Sequence, residues 1–165
     1  VEPDKNKKNL AQNAYKLLTE WTRCPGKQDD GSFSAEAFKE WLMEARKLTE
    51  ESGHAEVAQI QIGHVLTYIP PDPGGLWIHK AVAEALNFRE TSEMRSGYTI
   101  QLFNNRGIFS FTHGQTERKI ASEYREKADA LDLEGYTRFA SAMRELAEQY
   151  EHQAKHDANR DPIED

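Results

Sequence analysis

Apolar side chains recur every three or four positions along most of this 165-residue chain, which is the spacing of one face of an α-helix. The connections between these stretches are short, and the chain has the length of one domain that buries its own core. We therefore predict an all-α fold, either a helical bundle or a short α-solenoid of about seven helices. The predicted helices cover about 6–21, 34–51, 55–69, 76–86, 91–104, 115–131 and 134–158. They form a single domain over 1–160, with halves at 6–69 and 76–158 and an acidic tail at 159–165.

The stretch from Pro70 to Ile78, Pro-Pro-Asp-Pro-Gly-Gly-Leu-Trp-Ile, is the strongest interruption of the helical pattern. Proline lacks the amide donor that a helix uses and makes the preceding residue extended, while Gly74 and Gly75 permit positive φ. A solvated linker would not need the apolar residues at its end. We predict an ordered loop at 70–77 that is pinned by Trp77, with the next helix beginning near Leu76.

The two N-terminal predicted helices each carry one apolar stripe. Leu17, Leu18 and Trp21 belong to the stripe of the first helix. Ser34 is a capping residue for the second helix, and Phe33 and Phe38 hold the positions that pack against each other across such a cap. The buried face predicted for the second helix consists of Phe38, Trp41, Leu42, Ala45 and Leu48.

The C-terminal half carries an interior glycine, a second break and a hairpin. Gly97 costs its helix about 1 kcal/mol relative to alanine, so we expect close packing against a neighbour there. Ile108, Phe109 and Phe111 indicate an irregular apolar connector rather than a strand, since a single strand has no partner. The last two helices are antiparallel neighbours because only a few residues join them. Their alanine pattern resembles a tetratricopeptide-type hairpin, although no second copy appears.

Composition excludes several functional classes. No apolar run reaches the length of a membrane span, so no membrane insertion is expected. The net charge of −7 disfavours a nucleic-acid surface. Cys24 is the only cysteine, which excludes an intramolecular disulfide and a four-cysteine zinc site and favours the cytoplasm. Because the chain lacks an initiator methionine, we expect it to be part of a longer protein or a processed one.

Three metal or nucleophile patterns are incomplete. The loop around Gly31 resembles a calcium-binding loop but has no carboxylates at the main ligand positions. His152 and His156 have the spacing of metal ligands, yet Gln153 stands where a zincin would have glutamate. Cys24 precedes Pro25-Gly26 rather than a helix N-terminus that would stabilise a thiolate. We therefore expect no metal site, no cofactor and no catalytic residue.

Two polar groups of residues are candidates for binding. His79 and Lys80, one turn after Gly74 and Gly75, would help exposed amides bind an anion; the alternative is a tight turn that needs glycine. In the polar connector at 105–118, Arg106 and His113 would bind a carboxylate or phosphate, and Glu117 would set the charge of His113. The alternative is that these side chains cap helices and lock the turn. The full set of candidate binding residues is Trp77, His79, Asn105, Arg106, His113, Glu117 and Arg118.

A set of scattered residues in the second half resembles a known kind of domain. They are Arg106-Gly107, Gly114-Gln115-Thr116-Glu117-Arg118, Ala121, Tyr124-Arg125, Ala128, Ala147, Gln149, Tyr150 and Glu151. Together they are similar to an all-helical domain near the C-terminal end of long uncharacterised bacterial proteins. The resemblance implies an accessory domain of a larger protein and brings no catalytic residues.

These observations favour a non-enzymatic module that recognises a protein or peptide. Its binding groove would lie near the loop at 70–77, which we call the proline loop, and near the 105–118 connector. Trp77, Phe109 and Phe111 would be its aromatic anchors. The alternative is a small-ligand or enzymatic site built from Arg106, His113 and Glu117 around a pocket. A third possibility is a structural or oligomerising domain with a large apolar patch. The oligomeric state is not predicted.

Overall fold

The computed structural model describes residues 24–51, 53–106 and 114–158. In these ranges the chain forms six α-helices and no strand, which confirms the all-α prediction. We label the helices α1 (Ala35–Glu51), α2 (Ala55–Leu66), α3 (Lys80–Asn87), α4 (Ser92–Asn104), α5 (Gln115–Leu133) and α6 (Thr137–Ala158), and a 3-10 turn at Arg89–Thr91 precedes α4. The helix predicted over 6–21, the connector at 107–113 and the tail at 159–165 lie outside the described residues. No described helix combines the length and the apolar character that crossing a membrane requires.

The described chain divides into two compact units, and the division falls within α4. Residues up to Leu102 belong to the first unit, and residues from Phe103 belong to the second. The boundary thus lies well after the proline loop, where we placed the division between the two halves. We refer to these as the N-terminal and C-terminal units and describe each separately.

The start of α1 is capped as its sequence predicts. The Ser34 hydroxyl accepts a hydrogen bond from the Ala37 amide at 3.1 Å, and the Phe33 and Phe38 ring centres lie 6.0 Å apart. The predicted buried face is only partly buried, however. Phe38 is fully enclosed, Trp41 and Leu42 are half-buried, and Leu48 is 59% exposed. Helix α1 therefore packs along only part of its apolar stripe.

Helices α2 and α4 cross with their backbones in contact, and a glycine from each helix makes this possible. A Cβ at Gly97 would overlap the carbonyl oxygen of Ile60, and a Cβ at Gly63 would overlap the carbonyl oxygen of Met94. Met94 and Tyr98 are buried at this crossing. The predicted reason for Gly97, close approach of a neighbour, is confirmed.

The loop between α2 and α3 is ordered by one aspartate. Asp72 Oδ1 accepts from the Gly74 amide at 2.7 Å, and Oδ2 accepts from the Lys80 amide at 3.0 Å. Helix α3 begins at Lys80 and not near Leu76: His79 is its N-cap, and Asp72 binds the Lys80 amide from eight residues earlier. Leu76 and Ile78 are buried and Trp77 is half-buried, so these three apolar residues at the end of the loop are all partly or fully enclosed.

The C-terminal unit contains an antiparallel hairpin of α5 and α6. The turn is a Schellman motif: Gly135 has φ +86°, its amide donates to Asp132, and the Tyr136 amide donates to the Leu131 carbonyl at 2.9 Å. The facing sides of the two helices are buried and rich in alanine, so the helices approach closely. The buried residues are Ala121, Ala128, Leu131, Phe139, Ala140, Met143, Leu146, Ala147, Tyr150 and Ala154.

Candidate functional site

A groove of about 540 Å³ separates α1 from α3 in the N-terminal unit. This volume lies within the range of about 300–1,000 Å³ that is usual for binding pockets. Six apolar and five charged residues line it. They are Phe38, Lys39, Leu42, Met43, Arg46, Lys47 and Glu50 from α1, Ala81, Glu84 and Ala85 from α3, and Phe88 directly after α3.

The groove has a closed floor and exposed apolar lips. Phe38, Ala81 and Ala85 are buried and form the floor. Met43 on one lip is 70% exposed, and Phe88 on the other is 51% exposed. Two large apolar side chains facing the same open groove are typical of a surface that a partner covers.

Hydrogen bonds to its main chain fix the position of Phe88. Its carbonyl oxygen accepts from Arg95 Nη1 at 2.6 Å and from the Thr91 amide at 3.3 Å. Phe88 itself is the C-cap of α3 with an extended backbone, at φ −61° and ψ 147°. The backbone is thus held rigidly where α3 ends, while the phenyl ring stays at the surface.

The dimensions of the groove suit a helical peptide. Its α1 wall extends from Phe38 to Glu50, which at about 1.5 Å per residue is roughly 18 Å, or about three helical turns. Peptide helices that bind in grooves insert side chains spaced i, i+3, i+4 and i+7, which requires two to three turns. A wall of this length therefore accommodates one such set of anchors.

Basic side chains are concentrated on the groove side of α1. All three basic residues of this helix line the groove, but only one of its five acidic residues, Glu50, does so. Lys39 lies 3.8 Å from Glu84 across the groove, with both side chains exposed. Arg46 and Lys47 form no ion pair within the described residues, so their charges are available to a partner.

The two candidates in the proline loop contribute mainly to the fold. His79 is the N-cap of α3; its Nδ1 accepts from the Ala81 amide at 3.2 Å, and its ring centre lies 4.4 Å from that of Phe33. The Gly74 amide, a proposed anion donor, already binds Asp72, whose pKa is lowered by hydrogen bonds from the Lys80 and Gly74 amides. The chain supplies its own anion here, which removes the site proposed for an external one.

Arg106 and Glu117 converge in the C-terminal unit. Their side chains form an ion pair and are only 10% and 5% exposed. Arg106 Nη1 donates to Gln153 Oε1 at 2.7 Å, and the guanidinium lies 5.1 Å from the centre of the Tyr150 ring. Carboxylate, amide and aromatic ring thus surround this arginine. The arrangement joins the start of α5 and the region after α4 to α6.

Aromatic side chains extend this cluster along the hairpin. Tyr150 is buried, and its ring centre lies 5.2 Å from Phe103 and 5.7 Å from Tyr124. Burial, together with the neighbouring Tyr150 and Glu123, raises the pKa of Tyr124 to about 12. Neutral phenols here pack as apolar rings and offer no acid or base near pH 7.

The remaining candidates are dispersed. Asn105 and Arg118 are exposed, and His113 lies outside the described residues. His152 and His156 are exposed on α6. Across residues 24–51, 53–106 and 114–158, no three His, Cys, Asp or Glu side chains are grouped as metal ligands would be.

None of the six candidate residues that the structure describes lines the groove between α1 and α3. The groove joins residues 38–50 to residues 81–88, two segments whose proximity no local pattern reveals. One signal was present in the sequence: Lys39, Met43 and Arg46 recur at helical spacing, so an apolar and two basic side chains share a face of α1 beside its apolar stripe.

Comparison of the chain with models of protein families, with curated proteins and with solved structures finds no match.

Proposed function

We propose that this chain is a non-enzymatic interaction module that binds an amphipathic helical segment of a protein partner in the groove between α1 and α3. The observation that supports this most directly is the pair of exposed apolar lips, Met43 and Phe88, above a buried apolar floor. Following the resemblance described above, the module is an accessory domain of a larger bacterial protein. The single cysteine, Cys24, favours the cytoplasm as its location.

The two lips would supply a measurable part of the binding energy. Full burial of a Met or Phe side chain is worth about 1.5–3 kcal/mol. Scaled by the exposed fractions, Met43 and Phe88 would each contribute roughly 1–2 kcal/mol on binding. Together they correspond to about a hundredfold in affinity, which is what a few anchor residues provide in a typical interface.

The alternative, a small-ligand or enzymatic site around Arg106, His113 and Glu117, has weaker support. The positive charge of Arg106 is neutralised by Glu117, and both groups are enclosed by side chains of the same unit. A ligand anion would have to displace a buried carboxylate from its arginine, which leaves an uncompensated charge. We therefore regard this cluster as a structural lock.

Selection from a library of helical peptides tests the proposal. Peptides of about sixteen residues, long enough for the three turns of the groove, are selected on phage against the whole chain. Their affinities are then measured by fluorescence anisotropy. We expect the selected peptides to share apolar residues at i, i+3 or i+4, and i+7. Met43→Ser and Phe88→Ser should each weaken binding by about 5- to 30-fold, as the loss of 1–2 kcal/mol predicts.

Leu133→Ser provides the matched control. Leu133 is 90% exposed at the end of α5 and belongs to the C-terminal unit, so its loss should leave affinity unchanged. If no peptide is selected, or if Leu133→Ser weakens binding as much as Met43→Ser does, the groove is not the binding surface. Capture of an unidentified protein from a lysate would not decide between these outcomes.

A further inference from the structure

We infer that the partner helix carries acidic residues beside its apolar anchors, and that Arg46 and Lys47 select it. This inference rests on the proposed function, because it concerns the chemistry of the segment that the groove receives. It depends on a second observation, the distribution of basic and acidic side chains in the groove, which is independent of the exposure of Met43 and Phe88.

The charge of the groove differs in sign from the net charge of the chain. The chain has a net charge of −7, yet the groove lining has three basic and two acidic side chains. On α1 the acidic residues Glu36, Glu40 and Glu44 lie outside the lining, while Lys39, Arg46 and Lys47 lie within it. The groove is thus a locally basic site on an acidic protein, which favours the approach of an acidic segment.

The basic side chains of the groove differ in whether they have an ion-pair partner. Lys39 and Glu84 are 3.8 Å apart and compensate each other. Arg46 and Lys47 have no ion-pair partner within the described residues and lie one turn beyond Met43. Carboxylates one turn from an anchor that packs on Met43 would therefore meet two available cations.

The charge of residues 1–23 disfavours them as the occupant of the groove. The residues preceding the described part of the N-terminal unit, 1–23, include the predicted amphipathic helix and are an obvious candidate for the groove. They carry five basic and three acidic side chains, a net charge of +2. Charges of the same sign as Arg46 and Lys47 make this segment a poor match, so we assign the groove to a separate acidic helix.

Two designed peptides test the inference. Both have leucines at i, i+3, i+4 and i+7; one has glutamates and the other lysines at the flanking positions. We expect the glutamate peptide to bind the whole chain about tenfold more tightly, since each exposed ion pair contributes only a modest amount. The preference should largely disappear at about 1 M salt, where the screening length is only about 3 Å.

The Arg46→Glu/Lys47→Glu variant should invert the preference between the two peptides. Arg118→Glu/Lys119→Glu is the matched control, because it reverses the same dipeptide at exposed positions of α5. It should leave the preference unchanged. Far-UV circular dichroism of both variants should show the same total helix content as the parent chain.

The outcomes separate this inference from the proposed function. Equal binding of the two peptides, or tighter binding of the lysine peptide, overturns the acidic partner but leaves the groove as a peptide site. Failure of both peptides together with failure of the library selection overturns the proposed function itself. Tighter peptide binding by a Leu17→Ser/Leu18→Ser variant would identify the chain's own segment as the occupant. A dimer that dissociates in Met43→Ser would identify a second copy, and either result overturns the inference.

Discussion

Replacement of Gly97 by alanine should destabilise the N-terminal unit, although alanine is the better helix former. A Cβ at this position would overlap the Ile60 carbonyl oxygen and lie 2.7 Å and 2.8 Å from the Ile60 carbonyl carbon and Cα. These are backbone atoms that no rotamer change removes, so α2 and α4 must separate. Separation also loosens the reciprocal contact at Gly63, where Met94 and Tyr98 approach.

The magnitude follows from two opposing terms. Overpacking a tight contact costs about 1–3 kcal/mol, and contact with rigid backbone places Gly97→Ala at the upper end, near 3 kcal/mol. Alanine returns about 1 kcal/mol of helix propensity. The free energy of unfolding should therefore fall by about 2 kcal/mol, and the midpoint of thermal unfolding by roughly 10 °C for a unit of this size.

Tryptophan fluorescence during urea unfolding isolates this effect. All three tryptophans, Trp21, Trp41 and Trp77, precede Leu102, so their emission reports the N-terminal unit. Ser96→Ala is the control, because Ser96 is exposed on α4 and its replacement should change stability by no more than about 0.5 kcal/mol. If Gly97→Ala is as stable as the parent, the backbone contact between α2 and α4 does not exist as described.

Three further changes test other parts of the structure. Asp72→Ala should lower the free energy of unfolding by about 1 kcal/mol, because the Lys80 amide at the start of α3 loses its acceptor. The pKa of Asp72 is lowered in the folded chain, so this contribution should be present above about pH 4 and be lost as the pH falls. Urea titrations that show the same acid dependence with and without Asp72→Ala would contradict this. Arg106→Met should lower the free energy of unfolding of the C-terminal unit by about 3 kcal/mol, because Glu117 is left buried without its counter-ion. Arg106→Met/Glu117→Leu should recover most of this loss in circular dichroism melts. Equal losses in the two variants would show that the pair is not coupled. Burial raises the pKa of Tyr124 to about 12 from its usual value near 10, so the neutral phenol stabilises the fold below pH 10 and this contribution is lost between pH 10 and 12. Tyr124→Phe should remove that part of the alkaline unfolding. An ultraviolet titration in which Tyr124 ionises near pH 10 would refute the burial.

The helices were predictable because their apolar periodicity is a local property of the sequence. Helix α1 ends and begins as expected, and Gly97 meets the close neighbour inferred from its position. The start of α3 was not predictable, because the group that binds its first amide, Asp72, lies eight residues earlier and reaches Lys80 only after the loop closes. Local propensity favours continuing α3 back to Leu76, but the tertiary hydrogen bonds prevent it.

The candidate site was less accessible from the sequence, for a physical reason. Arg106 and Glu117 drew attention as polar residues in a connector, but their charges are directed at each other and at Gln153, 47 residues after Arg106. The groove depends on how far apart α1 and α3 lie, and distances between helices are set by packing rather than by periodicity. Met43 and Phe88 lie outside the predicted stripes and become informative only through their exposure.

The shallow packing of α1 determines how the N-terminal unit moves. Local opening of a helix costs little when few apolar contacts break, and Phe38 is the only fully buried side chain of α1, against six buried residues on the shorter α2. Amide hydrogens of α1 should therefore exchange with solvent before those of α2. Trp41 and Leu42 are half-buried and add to the contact that Phe38 makes. An occupant of the groove that covers Met43 and Leu42 would bury more of α1 and should therefore slow this exchange.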